Sequence, residues 1–556
     1  MLRVFKGGFL LAAAATVGAI SKVTRTGRYL YTDDGTRFFV KGVAYQPPGT
    51  VVASSTNSFG EPSTFTDPLA DSAGCARDLP FLKQLGVNAI RAYSVDSGLN
   101  HDDCMGNFSA AGIYTIIDLS LPLNGSIDRT SPAWSTNLQD EYLATVAAFA
   151  KYDNVLAYNV GNEVMLNNAT DPAPFVKAAA RDIKAYLTSI SSSALVGYAA
   201  IDGAADFLVP LANYLSCDPS GSNSDASAID LFGLNNYEWC GNASSTTYDG
   251  VNGEFAGYNV AAYFSEFGSE TCDPGVRVWT ETGTLFSSPM TNIWSGGLAF
   301  SYFPASSSAG NFGLVNISSD GTTVTPNQDF NNLVSQYGQV TFVNSPSMSS
   351  ASASSFPACP TANSSWAASN TLPPTPNDAA CACLENALSC QFQTTSSNYS
   401  TLVGTLIDTA CSLLGTSNGT CDPIGGDGST GAYGLLDTCD PITKLSFVFS
   451  QYYELNGRTA SACSFSGNGV VNANAPAETA LAAATSCIAS PSAVFTPSFS
   501  ATASAKSGSS GSGSGSGSSS GSGSGSGAAS SPSPNVLLSL ALVCGGILSS
   551  ALWTLA

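Results

Sequence analysis
Between Thr26 and about Val343 the chain alternates, unit after unit, between a short apolar or β-branched run and a longer polar or amphipathic stretch. This rhythm limits the fold more than any other feature, because parallel strands need a crossover connection after each strand and a helix commonly supplies it. The runs that read as strands are Phe38–Tyr45, Val87–Tyr93, Tyr114–Leu119, Val155–Val160, Leu195–Ile201, Leu231–Asn235, Ala262–Phe267 and Gly297–Tyr302. Helices are predicted over Cys75–Leu85, Asp140–Lys151 and Pro174–Ser189, each with apolar residues three to four apart. Eight strand–helix units in about 320 residues predict an α/β fold, a (β/α)8 TIM barrel. An open doubly wound sheet would carry a glycine-rich phosphate turn after its first strand, and Gly42-Val43-Ala44-Tyr45 is not one.

Chemistry in such a barrel sits at the C-terminal ends of the strands. The polar residues there are Tyr45-Gln46, Arg91 and Tyr93, Asp118, Asn162-Glu163, Tyr237, Glu266 and Tyr302. One polar strand end means little. Carboxylates, amides, an arginine and tyrosines converging on one mouth describe a sugar-binding cleft, since pyranoses stack on aromatic faces and offer hydroxyls to amides and carboxylates. Glycosidic chemistry needs one carboxyl group to protonate the leaving oxygen and another to stabilise or attack the anomeric carbon. Glu163 ends the fourth predicted strand and Glu266 the seventh. Placed across the mouth, they are expected about 5–5.5 Å apart, the separation of retaining enzymes. A glutamate at an arbitrary strand end is more often a salt-bridged structural residue; the pair, as Asn-Glu and Ser-Glu-aromatic-Gly, points to catalysis. Asn162 is placed to bond the sugar 2-hydroxyl, and Tyr237 to orient Glu266. Arg91 is expected to keep Glu266 ionised, leaving Glu163 as the proton holder with a raised pKa. Asp118 is a rival carboxylate, assigned to positioning the substrate or the acid.

Composition narrows the partners. The 556 residues carry 19 Lys and Arg against 40 Asp and Glu, a net charge of −21, which argues against nucleic acid and is compatible with a neutral polysaccharide. The single histidine, His101, excludes a His-rich zinc site and reads as a surface-loop residue. Neither a metal nor an organic cofactor is implied. Fifteen cysteines and eight Asn-x-Ser/Thr sequons (Asn107, Asn124, Asn168, Asn242, Asn316, Asn363, Asn398 and Asn418) fit disulfides and a secretory route. The start, basic Arg3 and Lys6 before an apolar Phe9–Val17 stretch and a small-residue exit, reads as a signal peptide cleaved near Ala19. At the far end a Ser/Gly tract, Ser507–Gly527, leads into an apolar tail, Val536–Ala556, with no charge after Lys506. That pattern predicts a glycosylphosphatidylinositol (GPI) signal with attachment within Ser522–Ala528, rather than a spanning helix.

Several linked stretches carry a resemblance: Phe39-Val40-Lys41-Gly42-Val43-Ala44-Tyr45-Gln46, Asn88-Ala89-Ile90-Arg91-Ala92-Tyr93, Ser126-Ile127-Asp128-Arg129, Gly161-Asn162-Glu163-Val164, Tyr237-Glu238-Trp239-Cys240-Gly241, Phe264-Ser265-Glu266-Phe267-Gly268 and Met290 to Leu298. In these the chain resembles the fungal β-1,3-glucanosyltransferases of glycoside hydrolase family 72. The resemblance implies Glu163 as acid/base, Glu266 as nucleophile, and a donor site lined by Gln46, Tyr93, Asp118, Asn162, Tyr237 and Tyr302. It also implies the disulfides Cys75–Cys104, Cys240–Cys272 and Cys217–Cys359. Phe267 stands where that family usually has tyrosine, and Pro304–Gly310 replaces a more acidic loop. Cys381, Cys383, Cys390, Cys411, Cys421, Cys439, Cys463 and Cys487 resemble the cysteine-rich carbohydrate-binding module of family 43, expected to be small and mainly helical. Eight cysteines admit 105 pairings, so their connectivity stays open. Phe447, Phe449, Tyr452 and Tyr453 offer either a sugar-stacking surface or, more simply, core packing.

The expected division is a signal peptide over 1–19, a catalytic barrel over 20–345, a connecting segment over 346–375, the module over 376–490, a Ser/Gly-rich linker with the anchor site over 491–535 and a removed tail over 536–556. The expected activity is that of a monomeric retaining transglycosylase at the cell surface, anchored to the plasma membrane and reaching the wall. It would cleave an internal β-1,3-glucan linkage and transfer the new end to a second glucan. An endo-β-1,3-glucanase and a catalytically silent glucan-binding wall protein are the alternatives.

Overall fold
The computed structural model describes residues 20–49, 64–122, 125–271, 276–307, 310–393 and 400–499, all within one compact unit. A short antiparallel hairpin, β1 (Val23–Thr26) and β2 (Tyr29–Thr32), precedes eight strands: β3 (Val40–Ala44), β4 (Ala89–Ala92), β5 (Tyr114–Asp118), β6 (Val155–Asn162), β7 (Leu195–Ile201), β8 (Leu231–Asn235), β9 (Ala261–Phe267) and β10 (Trp294–Ala299). The eight pair in parallel in chain order, and β10 closes onto β3. Each strand overlaps the run expected from the sequence. The last differs most: it begins at Trp294, paired with Ala262, and ends at Ala299, because beyond it the amides of Phe300 and Tyr302 turn to the carbonyls of Phe267 and Ala44.

Two apolar layers build the barrel. Inside, Val40, Ala89, Ile116, Ala157, Leu195, Leu231, Ala261 and Leu298 form one cluster with Val23 and Leu30, so the hairpin packs against the barrel interior. Outside, the strands pack on the helices α1 (Ser72–Leu85), α2 (Asp102–Ala110), α3 (Thr136–Phe149), α4 (Ala173–Ser189), α5 (Ala205–Ser216), α6 (Asp249–Glu254), α7 (Glu281–Leu285) and α8 (Gln328–Tyr337). Local chemistry sets their ends. The Asp71 side chain accepts from the Gly74 amide to start α1, and Gly86, at φ 67°, ends it in the left-handed conformation that glycine adopts freely. Helix α3 begins four residues before its expected start because the Thr136 amide finds a partner across the molecule, the Thr438 carbonyl. His101 is not on the surface: it is buried, with Nε2 2.8 Å from Asp67 Oδ2 and its ring against Phe149.

The segment after the barrel is pinned to it. Cys359 is bonded to Cys217 at the end of α5, Trp366 is buried against Tyr214, and Arg181 of α4 donates to the Pro373 carbonyl at 2.8 Å. Beyond it lies a module of helices α9 (Asp378–Ala387), α10 (Ser400–Thr416), α11 (Pro441–Leu455) and α12 (Ala480–Cys487), with a two-stranded pairing of Cys390–Phe392 and Gly469–Val471. Its disulfides are Cys381–Cys439, Cys383–Cys487, Cys390–Cys463 and Cys411–Cys421, the pattern that the sequence left open. Phe447, Phe449 and Tyr453 are buried in its core, and Tyr452 packs on Phe465, so these aromatics hold the module together. Cys75–Cys104 is bonded in the barrel; the pairing of Cys240 with Cys272 lies outside the described residues, as do the signal and anchor segments. Among the described residues no helix is long and apolar enough to cross a membrane.

Candidate active site
The site is built on a buried cation. Arg91, at the end of β4, is fully buried and forms a double contact with Asp118 at the end of β5, Nη2 to Oδ2 at 2.7 Å and Nε to Oδ1 at 3.1 Å. Its remaining donors reach Glu266 Oε1 at 3.3 Å, the Ser265 carbonyl at 3.3 Å and Asn162 Oδ1 at 2.9 Å. Burial alone would disfavour the charge, but Asp118, Tyr93 and Glu266 outweigh it and hold the guanidinium firmly protonated. Asp118 also accepts from Asn159 Nδ2 at 2.7 Å and is closed off from solvent, so its carboxylate serves as the counter-ion of Arg91.

Glu266, at the end of β9, receives two phenol hydroxyls: Tyr93 on Oε1 and Tyr237 on Oε2, each at 2.7 Å. Burial keeps both phenols protonated, so they act as fixed donors. Arg91 and Tyr237 act on Glu266 in the expected direction, favouring its charge, but burial outweighs them. Burial pushes its carboxyl up to about 7; Arg91 pulls it down, the charge of Glu163 pushes it up, and the tyrosine hydrogen bonds pull it down by less than burial raises it. The turn behind it is tight: Gly268 lies at φ +112°, and a Cβ there would lie 2.2 Å from the Trp279 ring. Phe267 fills the adjoining core edge-on to that same ring.

Glu163 follows β6 with φ at 49°, a region that non-glycine residues enter rarely and that recurs at functional sites. Backbone ties on both sides hold it there. Its amide donates to the Ala199 carbonyl at 2.8 Å, its carbonyl accepts from Arg129 Nε at 2.9 Å, and the next two amides, of Val164 and Met165, donate to Tyr198 Oη. Its side chain receives Asn235 Nδ2 on Oε1 at 2.6 Å. The same amide group also reaches Asn162 Oδ1 at 3.2 Å, and Asn235 Oδ1 accepts from Ser265 at 2.7 Å. Asn235 thus links the two glutamate-bearing strands. Sequence reasoning missed it, although it is the last residue of a strand, the same positional signal that singled out Asn162. Register shifts fall beside these residues, between Asn159 and Asn162 in the β6–β7 pairing and between Leu234 and Asn235 in the β8–β9 pairing, and such irregularities re-aim side chains at strand ends.

Of the expected cleft residues, the structure brings Arg91, Tyr93, Asp118, Asn162, Glu163, Tyr237 and Glu266 into one hydrogen-bonded group. Gln46 stands beside it, accepting from the amides of Tyr93 and Ser94 at 3.1 Å each and donating to the Thr66 carbonyl. Tyr302 is set apart: it is fully buried and donates to Asp78, which also binds Tyr45. Among the described residues no group of three or more metal-ligating side chains is present.

A glucanosyltransferase family of glycoside hydrolases matches residues 11–341, and an X8 domain matches 388–470. The chain is 37% identical over 470 residues to the 1,3-beta-glucanosyltransferase gas1 of Schizosaccharomyces pombe, covering 82% of this chain and 81% of the relative. It is 36% identical over 449 residues to a 1,3-beta-glucanosyltransferase of Arthroderma benhamiae, covering 79% and 78%. Among solved structures it superposes on a Gas2p mutant of Saccharomyces cerevisiae with a TM-score of 0.72 at 32% identity, covering 82% of this chain and 93% of that one. A Gas2p mutant in complex with laminaritetraose and laminaripentaose superposes with a TM-score of 0.71 at 31% identity, covering 84% and 98%. A matched family over most of the barrel, and relatives alike across four fifths of the chain, lead to one conclusion: this chain belongs to the glucanosyltransferase family, glycoside hydrolase family 72.

Proposed function
We propose that the chain is a retaining β-1,3-glucanosyltransferase in which Glu266 is the nucleophile and Glu163 the acid/base. The observation that carries this reading is the gathering of both glutamates around Arg91, Tyr93, Tyr237 and Asn235 at the C-terminal mouth of the barrel. A Glu266 oxygen attacks the anomeric carbon of an internal glucosyl unit as the glycosidic C–O bond breaks. The proton of Glu163 passes to the leaving oxygen, and the fragment carrying the old reducing end departs. Esterification removes the negative charge of Glu266 and with it one cause of repulsion between the carboxyls. Glu163, now a carboxylate, takes the proton from the 3-hydroxyl of a second glucan, which displaces Glu266 and restores the site. Asn235 holds one oxygen of Glu163 and leaves the other for the proton. Tyr93 and Tyr237 fix the attacking carboxylate in line.

The nucleophile works only when ionised, so the acid limb of kcat/KM belongs to Glu266, and burial sets that limb above the ordinary glutamate range. The relatives' names and the laminari-oligosaccharides bound to a homologous structure support glucan as donor and acceptor. A cell-surface location with a lipid anchor agrees with the chain's bonded cysteines and with exposed sequon asparagines at 107, 168, 242, 316, 363 and 418. The test is incubation of the purified chain with a reduced laminari-oligosaccharide. Products longer than the substrate are expected; a product set containing only shorter chains would replace transfer by hydrolysis.

A further inference from the structure
The barrel and the cysteine-rich module meet along a seam that holds a half-open cavity of about 310 Å³. Its barrel wall comes from two loops of the catalytic face: Thr130 and Ser131 beyond the end of β5, and Asp171 beyond Glu163 and the end of β6. Arg129, next to Thr130, is the residue that holds the Glu163 carbonyl, so this wall is continuous with the catalytic turn. The module wall is the loop around Asp427, with Asp437 and Lys444. The two walls meet closely: a Cβ on Gly428 would lie 1.9 Å from the Asp171 carbonyl oxygen.

The chemistry of the cavity is unusual for a plain interface. Asp437 is 2% exposed, and its Oδ2 is buried without a hydrogen-bond partner among the described residues. Burial pushes its carboxyl up to about 6, against the pull of Lys444. Lys444 is itself 9% exposed; burial lowers its pKa, and Asp437 and Asp440 oppose the shift. A buried carboxyl oxygen left without a partner costs about 1–3 kcal/mol, and the side chain that carries it lines the cavity. Charge decides which kind. Asp171, Asp427 and Asp437 together disfavour an anion, and the Lys444 ammonium offsets part of their pull on a cation. A neutral polyol suits both groups, since one hydroxyl can donate to Asp437 while another accepts from Lys444.

We propose that the seam is a saccharide subsite in which Asp437 and Lys444 hold a glucosyl unit of the same glucan chain that occupies the barrel cleft. This deepens the function proposed above and rests on it, and it makes the module a determinant of preferred chain length. The test is calorimetric binding of laminari-oligosaccharides of increasing length to the full chain carrying Glu266→Gln, which prevents turnover. Affinity is expected to step up at the length that reaches the seam. Asp437→Asn with Lys444→Met, a near-isosteric neutral pair, should remove that step, about tenfold, and leave the shortest bound oligosaccharide unaffected. Ser131→Leu should do the same by narrowing the exposed rim, and it decides alone if the double variant melts early. A parent without a step, variants that keep it, or an equal loss at every length would each overturn the subsite. A retained step in a wild-type chain that makes no longer products counts instead against the transferase reading.

Discussion
The barrel mouth and the cysteine-rich module place their polar and apolar groups in opposite ways. At the mouth, Arg91, Asp118 and Glu266 are buried together, and large apolar layers pack around the strands that carry them. The module has a far smaller apolar core, and four disulfides close it between Cys381 and Cys487. The difference shows what size permits: a large core can hold a site that destabilises the fold, whereas a small one relies on cross-links.

The largest expected effect sets these regions apart most sharply. Glu266→Gln should lower glucan elongation by about a thousandfold or more. It should also raise stability, and in one pH range only. Because the carboxyl is pushed up to about 7 from an ordinary value near 4.5, its contribution to stability is fully present below pH 4.5 and lost as pH rises through 7. Melting at pH 8 should therefore favour the variant by on the order of 2 kcal/mol, with no advantage at pH 4. An unchanged melting difference across that range would remove Glu266 from the list of destabilising charges. Next comes Asp118→Ala, which leaves Arg91 buried without its main counter-ion and should cost about 3–5 kcal/mol in denaturant unfolding.

The module responds to a different cut. Replacing Cys383 and Cys487 by alanine opens a link spanning 104 residues and should cost about 2–4 kcal/mol. Limited proteolysis should then begin in the module while cleavage of short oligosaccharides persists; simultaneous loss of both would show that the two regions unfold as one. The smallest effect is expected from Tyr237→Phe. It removes a donor that lowers the pKa of Glu266, so the acid limb of kcat/KM should move to higher pH, by less than about one unit. A limb moving to lower pH would mean that the tyrosine does not act through the carboxylate.

Much of the barrel was legible because its information is local. Apolar runs of strand length separated by helical periodicity gave all eight strands, and strand ends pointed to Glu163 and Glu266. Asn235 was not legible because nothing in its local sequence marks that its amide reaches Glu163, 72 residues away. His101 looked exposed between Asn100 and Asp102-Asp103, yet it turns inward to Asp67, a partner 34 residues away in sequence.

The sequence by itself determined the alternation of strand and helix, the pair of glutamates and the cysteine inventory, since each is a property of residue type and spacing along the chain. Only the tertiary structure decided which module cysteines pair, that Asp118 neutralises Arg91, that Asn235 joins the two glutamate-bearing strands, and that the buried Asp437 side chain lines a cavity between barrel and module. Those outcomes depend on distance and burial between segments far apart in the chain. Desolvation, which sets Glu266 near 7, exists only once the surrounding core has closed.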